Sequence, residues 1–240
     1  PYSQDPFLLY RYVRNYNPSP FLFYCKFDDF SLIGASPEIL VGVENRKMII
    51  RPLAGTRKRY SSDKTESEII KELTHDEKEK AEHIMLVDLA RHDIGRACKK
   101  GSVKVTDLLN IEKYTHVIHM VSEVEGELRD ECSSLDAFKY GFPAGTVTGT
   151  PKIRAMEIIS ELEDVQREFY SGGVVFFDFK GDMKSTLTIR SMVVQNNTVT
   201  TQAAAGIVSD SIPEMEFKET ENKLRSCLSA MAQFNTGEAQ

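Results

Sequence analysis

Apolar and polar positions form short runs over residues 21–59 (FLFYCKF, SLIGAS, EILVGVE, KMIIRPLAG), and the middle two alternate with a period of two. This pattern predicts consecutive antiparallel strands with a turn at Glu44-Asn45-Arg46. Residues 61–72 are polar and predict an exposed loop running into helix. Asp76 is then a candidate N-cap for a helix to about residue 91, with Ala81, Met85 and Leu89 as its apolar stripe. Strand returns over 101–127, where the alternation in THVIHMVSEVEG sends His116 and His119 to opposite faces. A short helix at 136–140 precedes PAGTVTGTPK, a glycine-rich loop entering the helix IRAMEIISELE with Thr150 at N-cap and Pro151 as first helical residue. Strands at 173–179, 185–194 and 198–207 and a closing amphipathic helix at 213–234 complete the series. Runs of strands with separated helices predict an α+β fold rather than a regular strand–helix wind. No repeat or linker divides residues 1–240, which are expected to form a single domain.

Composition narrows the function classes. A net charge of −6 argues against nucleic acid or an anionic membrane as the main partner, while leaving room for a local basic pocket. Cys25, Cys98, Cys132 and Cys227 are dispersed without CxxC or His-Cys clustering, which leaves zinc and iron–sulfur sites with little support and points to reduced cytoplasmic thiols. No run approaches the roughly 20 apolar residues of a membrane span, and the first residues carry no signal-peptide pattern. The chain starts at Pro1, which suggests processing or further residues upstream.

Two glutamate pairs are the leading candidates for chemistry. Glu79 with Glu82, and Glu216 with Glu219, share a helix face, and Lys223 joins the second pair. Four carboxylates from two distant segments suit a hard divalent cation such as Mg2+. The alternative is a solvated face laced with i,i+4 ion pairs, Lys78 to Glu82 and Glu219 to Lys223. A di-iron site would need Glu-x-x-His spacing, which His83 does not supply. The loop around Thr146 ends at a helix start and suits either an anion or an ordinary capped turn; it lacks the Gly-Lys-Ser/Thr ending of a Walker loop. Arg190 is expected on a polar strand face with Thr186 and Thr188, available to a carboxylate or simply exposed. Gly206 permits close backbone approach or marks a turn. His119 and Glu38 are candidate proton-transfer groups, with structural or surface roles as their alternatives.

The segments SPEIL, RPLAGTR, AEHIMLVDLARHDIGR, HVIHMVS, FPAGTVTGTPKIRAMEII, SGGVVFFDF, QAAAGIV and ETENKLRS, in this order, resemble the chorismate-binding domain of chorismate-utilising enzymes. They look most like the synthase component of anthranilate synthases. The resemblance runs from about residue 17 into the last helix. It implies one large α+β catalytic domain, expected here to lack its first strand and the N-terminal regulatory region. It also implies Mg2+ held by Glu82 and Glu219, with Glu79 and Glu216 contributing directly or through water. Chorismate would contact Gly55, Thr56, Thr146, Tyr170, Arg190, Gly206 and Lys223; His119 would stand near the C4 hydroxyl and Glu38 would protonate it. The implied reaction is ammonia attack at C2, loss of the C4 hydroxyl and elimination of pyruvate, with ammonia from a separate glutamine amidotransferase subunit and hence a hetero-oligomer. Related aminodeoxychorismate synthases generally place a nucleophilic lysine where this chain has Ala54, which cannot form that adduct. That branch remains an alternative, as does a chorismate-binding module without turnover. Ala204, Thr150, His92 and Ser171 depart from common family residues. Residues 17–22 resemble one wall of a tryptophan feedback site.

Overall fold

The computed structural model describes residues 5–17, 19–114 and 117–236, with side chains to residue 232, so His116 and Pro18 lie outside the described residues. The first described element is helix α1 (Pro6–Tyr16), which the hydrophobic pattern does not reveal, followed by β1 (Phe21–Lys26), β2 (Phe30–Ser36), β3 (Ile39–Glu44), β4 (Lys47–Ile50) and β5 (Leu53–Lys58). Helices α2 (Glu66–His75) and α3 (Glu77–Ala97) lead to β6 (Lys104–Lys113) and β7 (Val117–Glu127). Three helices follow, α4 (Ser134–Gly141), α5 (Gly145–Thr148) and α6 (Lys152–Leu162). The chain then forms β8 (Gly173–Phe177), β9 (Met183–Leu187), β10 (Ser191–Gln195), β11 (Thr198–Thr201) and α7 (Pro213–Thr236). The α+β expectation holds: helices and antiparallel sheets are mixed without a parallel wind.

These elements pack into two compact units, one of Glu38–Glu163 with Val175–Ser185, the other of the remaining residues. The unit holding both termini is built on a sheet of order β1-β2-β10-β11, antiparallel throughout. Leu9 and Val13 of α1 and Cys227 and Ala230 of α7 close with Ile33, Ala35, Met192 and Val194 into its core.

The other unit is built around a seven-stranded sheet of order β5-β7-β4-β3-β9-β8, with β6 on β7. The expected single strand KMIIRPLAG is two strands here. Pro52 has no amide hydrogen to give a ladder, so the chain breaks and β4 and β5 pair with different halves of β7, Val124–Glu127 and Val117–Val121. Ser122 N–H donates to the Pro52 carbonyl at the break (3.1 Å). The turn at Asn45 and Arg46 forms as expected, both residues having positive φ, the geometry that matches the twist of a tight hairpin.

Helix α3 starts where the sequence placed it, the Asp76 carboxylate accepting from the Lys78 and Glu79 amides, but runs to Ala97 because Arg91-His92-Asp93 contains no helix breaker. Its buried face is also different. His83, Val87, Ala90, Ile94 and Ala97 face inward, while Met85 is exposed. His83 starts that stripe as a polar residue, sharing a 2.7 Å hydrogen bond with the Ser122 hydroxyl, and so a count of apolar positions misses it.

Beneath the far end of α3, a Cβ on Gly126 would stand 2.7 Å from Ile94 Cγ2 and 2.9 Å from Cys98 Sγ. Gly126→Ala therefore overpacks a buried contact and is expected to lower stability by about 1–3 kcal/mol, read as a lower urea midpoint with an unchanged slope. An unaltered midpoint would show that α3 is free to shift.

Candidate active site

In the sheet-based unit, the site begins with a backbone irregularity. The β5–β7 register slips between Ala54 and Thr56, and Gly55 takes up the extra residue at φ +76°, a conformation open to glycine. A Cβ on Gly55 would also approach Leu73 Cδ1 at 3.1 Å and Glu79 Oε2 at 3.4 Å. Beyond this bulge the Thr56 hydroxyl and His119 Nδ1 share a 2.8 Å hydrogen bond. His119 is buried and meets Tyr114 edge to face, with centroids 5.5 Å apart. Tyr114 donates to Glu112, and burial together with that bond pushes its phenol up to about 12, so it stays a proton-bearing donor near neutral pH. Burial acts to raise the Glu112 pKa, but the bonds from Tyr114 and Arg51 outweigh it and hold the carboxyl below its usual range.

Arg57, which the sequence reading did not single out, connects several of these groups. Its guanidinium donates to Glu79 Oε1 (2.7 Å), to Asp76 Oδ2 (2.8 Å) and to the Thr56 carbonyl (3.0 Å), fixing the first turn of α3 against β5. Glu82, one turn on, has Lys78 Nζ at 3.7 Å. Glu38 stands between β2 and β3, only 7 % exposed, and lines a cleft of about 340 Å3, open mouth included. Thr146 and Asp93 line the same cleft. The Thr146 hydroxyl is buried without a hydrogen-bond partner, as expected of a group that meets a ligand. Thr150 is not the N-cap of α6: Pro151 holds that position, and no side chain caps the helix.

The other unit holds Tyr170, Arg190, Gly206 and Lys223. Arg190 departs from the expected strand face, because the predicted strand at 185–194 is broken into β9 and β10 and Arg190 sits in the break at φ +51°. Thr186 and Thr188 are buried rather than part of a polar surface. The Arg190 guanidinium donates to the Lys223 carbonyl (2.7 Å). Burial is the main influence on it and lowers its pKa, against Cys227, Tyr170 and Glu219, which act to raise it. An arginine remains charged under such a shift, so the position holds a cation already drawn out of water. Lys223 Nζ reaches Glu219 at 2.6 Å and the Ala204 carbonyl at 2.8 Å. Glu216 is half-buried one turn before Glu219 on α7. Tyr170 has the Arg167 guanidinium 5.6 Å from its ring centroid. Among the described residues, its chain neighbours aside, nothing lies within 4 Å of where a Gly206 side chain would begin, so packing does not require glycine there.

Both i,i+4 ion pairs of the plain helix-face reading are thus formed. Among the described residues, no three His, Cys, Asp or Glu side chains are gathered as a cation shell. Within its own unit each glutamate pair, Glu79 with Glu82 and Glu216 with Glu219, offers carboxylate oxygen on an exposed or half-buried face, the donor type that suits a hard divalent cation.

This architecture is that of the chorismate-utilising enzymes. It superposes on anthranilate synthase component I from Streptococcus pneumoniae TIGR4 with a TM-score of 0.85 and 43 % identity, covering 94 % of this chain and 50 % of that one. A putative 2,3-dihydroxybenzoate-specific isochorismate synthase from Bacillus anthracis gives 0.84 at 31 % identity, over 95 % and 62 % of the two chains. Residues 1–229 match the family described as chorismate binding enzyme, and the chain belongs to that family. In sequence it is 48 % identical to anthranilate synthase component 1 of Aquifex aeolicus over 230 residues, which is 96 % of this chain and 47 % of that protein. It is 47 % identical to the Bacillus caldotenax protein of the same name over 97 % of this chain and 46 % of the relative. The chain spans about half the length of the curated relatives it matches. No helix among the described residues is long and apolar enough to cross a membrane.

Proposed function

We propose that this protein converts chorismate and ammonia to anthranilate and pyruvate, acting in the cytoplasm on the route to tryptophan. Ammonia comes from a glutamine amidotransferase partner in a hetero-oligomer. The observation that carries this reading over aminodeoxychorismate synthase is Ala54, a side chain without a nucleophile at the β5 bulge beside Gly55 and Thr56. The similarity to proteins named anthranilate synthase component 1 supports the same choice.

In this reading Arg190 and the Gly206 amide take the enolpyruvyl carboxylate, with Tyr170 and Lys223 beside them, while Gly55, Thr56 and Thr146 line the ring. Glu38 gives its proton to the C4 hydroxyl, which leaves as water while ammonia bonds to C2. His119, oriented by Thr56, hydrogen-bonds that departing oxygen. Loss of the C2 proton and of pyruvate then makes the ring aromatic. Glu82 and Glu219, with Glu79 and Glu216, would hold Mg2+, which when bound supplies neutralising charge for the ring carboxylate.

Incubation with chorismate, Mg2+ and an ammonium salt is expected to release anthranilate and pyruvate in equal amounts, followed by anthranilate fluorescence and a pyruvate assay. Aminodeoxychorismate, isochorismate or salicylate as the only product would reject the assignment.

A further inference from the structure

One ion pair stands apart from the others. Lys152 Nζ and Asp93 Oδ2 meet at 2.7 Å with side chains only 15 % and 9 % exposed, whereas the other ion pairs among the described residues lie at the surface or are partly open to it. Asp93 is on α3 and lines the cleft with Glu38 and Thr146; Lys152 opens α6, six residues after Thr146. Burial raises the Asp93 pKa, and the pull of Lys152, Arg96 and His92 does not fully offset it. Such a pair adds little stability over an apolar pair of the same size, and its best-attested use is to fix register.

The segment it serves is α5 with α6. Neither α5 nor α6 contains a buried residue or a side-chain cap, and Ile153 and Leu162 of α6 are 77 % and 75 % exposed. Besides the ion pair, close packing of Gly145 under Leu89 of α3 holds the start of α5, where a Cβ would run into the Leu89 side chain. We propose that the buried Asp93–Lys152 pair is the tether that sets where Thr146 stands in the cleft, making both positioning residues for the substrate site. Its substrate half rests on the function proposed above.

The test separates positioning from stability. Asp93→Asn or Lys152→Met alone strands a buried charge and lowers the Tm. The double variant strands none and is expected to recover most of the parent Tm. If the pair is a tether, amide exchange across residues 144–162 of that double variant nevertheless speeds by about tenfold or more, while the β2 and β7 amides keep their protection. Chorismate affinity falls by about tenfold with kcat changed by less than about threefold. Lys152→Arg, which keeps the charge and its reach, is expected to retain both the protection and the affinity. Parent-like exchange and affinity in the double variant would overturn the proposal. Faster exchange in that variant, in a parent protein that does not bind chorismate, would uphold the tether and reject the functional reading instead.

Discussion

Glu38→Gln is expected to lower kcat by about 10²–10⁴-fold while changing chorismate affinity by less than about threefold, the usual range for losing a general acid. Glutamine keeps the size and hydrogen-bonding capacity of the side chain but has no acidic proton. Glu38 is 7 % exposed at the junction of β2 and β3, against a cleft otherwise lined largely by Ile39, Leu40, Ile50, Pro52 and Leu86. Few water molecules can take over its proton donation in such surroundings. Steady-state kinetics checks the result: a parallel rise in KM with an unchanged kcat would make Glu38 a binding residue and leave the C4 hydroxyl without its donor.

Glu219→Ala is expected to reduce turnover at limiting Mg2+ by at least about 100-fold, since loss of a supporting partner alone costs metal sites about 10–100-fold. The fold should survive. Glu219 is about half exposed, its ion pair is with Lys223 at 2.6 Å, and exposed pairs of this kind contribute about 0–1 kcal/mol. A Tm close to the parent's, with a Mg2+ dependence moved to higher concentration, is the expected signature. Equal activity at limiting Mg2+ would remove Glu219 from the cation site. A lowered Tm with normal Mg2+ dependence would restore the plain reading of the glutamates as a solvated helix face.

Local signals located most elements, and they failed where a polar residue did the work of an apolar one or the backbone left its regular path. Asp76 marked the start of α3 because its cap is a local side-chain-to-amide bond. The inward face of the same helix differs from the apolar stripe because His83 packs against Ser122, thirty-nine positions away. The alternation of its neighbours places Arg190 on a strand face, yet the chain turns at that residue with positive φ. The split at Pro52 had a visible cause in the missing amide hydrogen, whereas the Gly55 bulge shows only in the pairing with β7.

The candidate site was legible by a different route. Spacing alone left the glutamate pairs as solvated faces, and the ordered motifs supplied their proposed role. Those motifs also contain Arg57, Asp93 and Lys152, but nothing in their sequence spacing shows that Arg57 grips Glu79 or that Asp93 and Lys152 are buried together. Long-range ion pairs leave no periodic trace along a chain.

The most direct test of the proposed site is a calorimetric titration of chorismate into the protein with and without Mg2+. Binding that is saturable with Mg2+ present, weakened by its removal and weakened again in Glu219→Ala is the predicted result. A folded protein that takes up no chorismate with Mg2+ present, or binds it equally with Mg2+ removed, would contradict it.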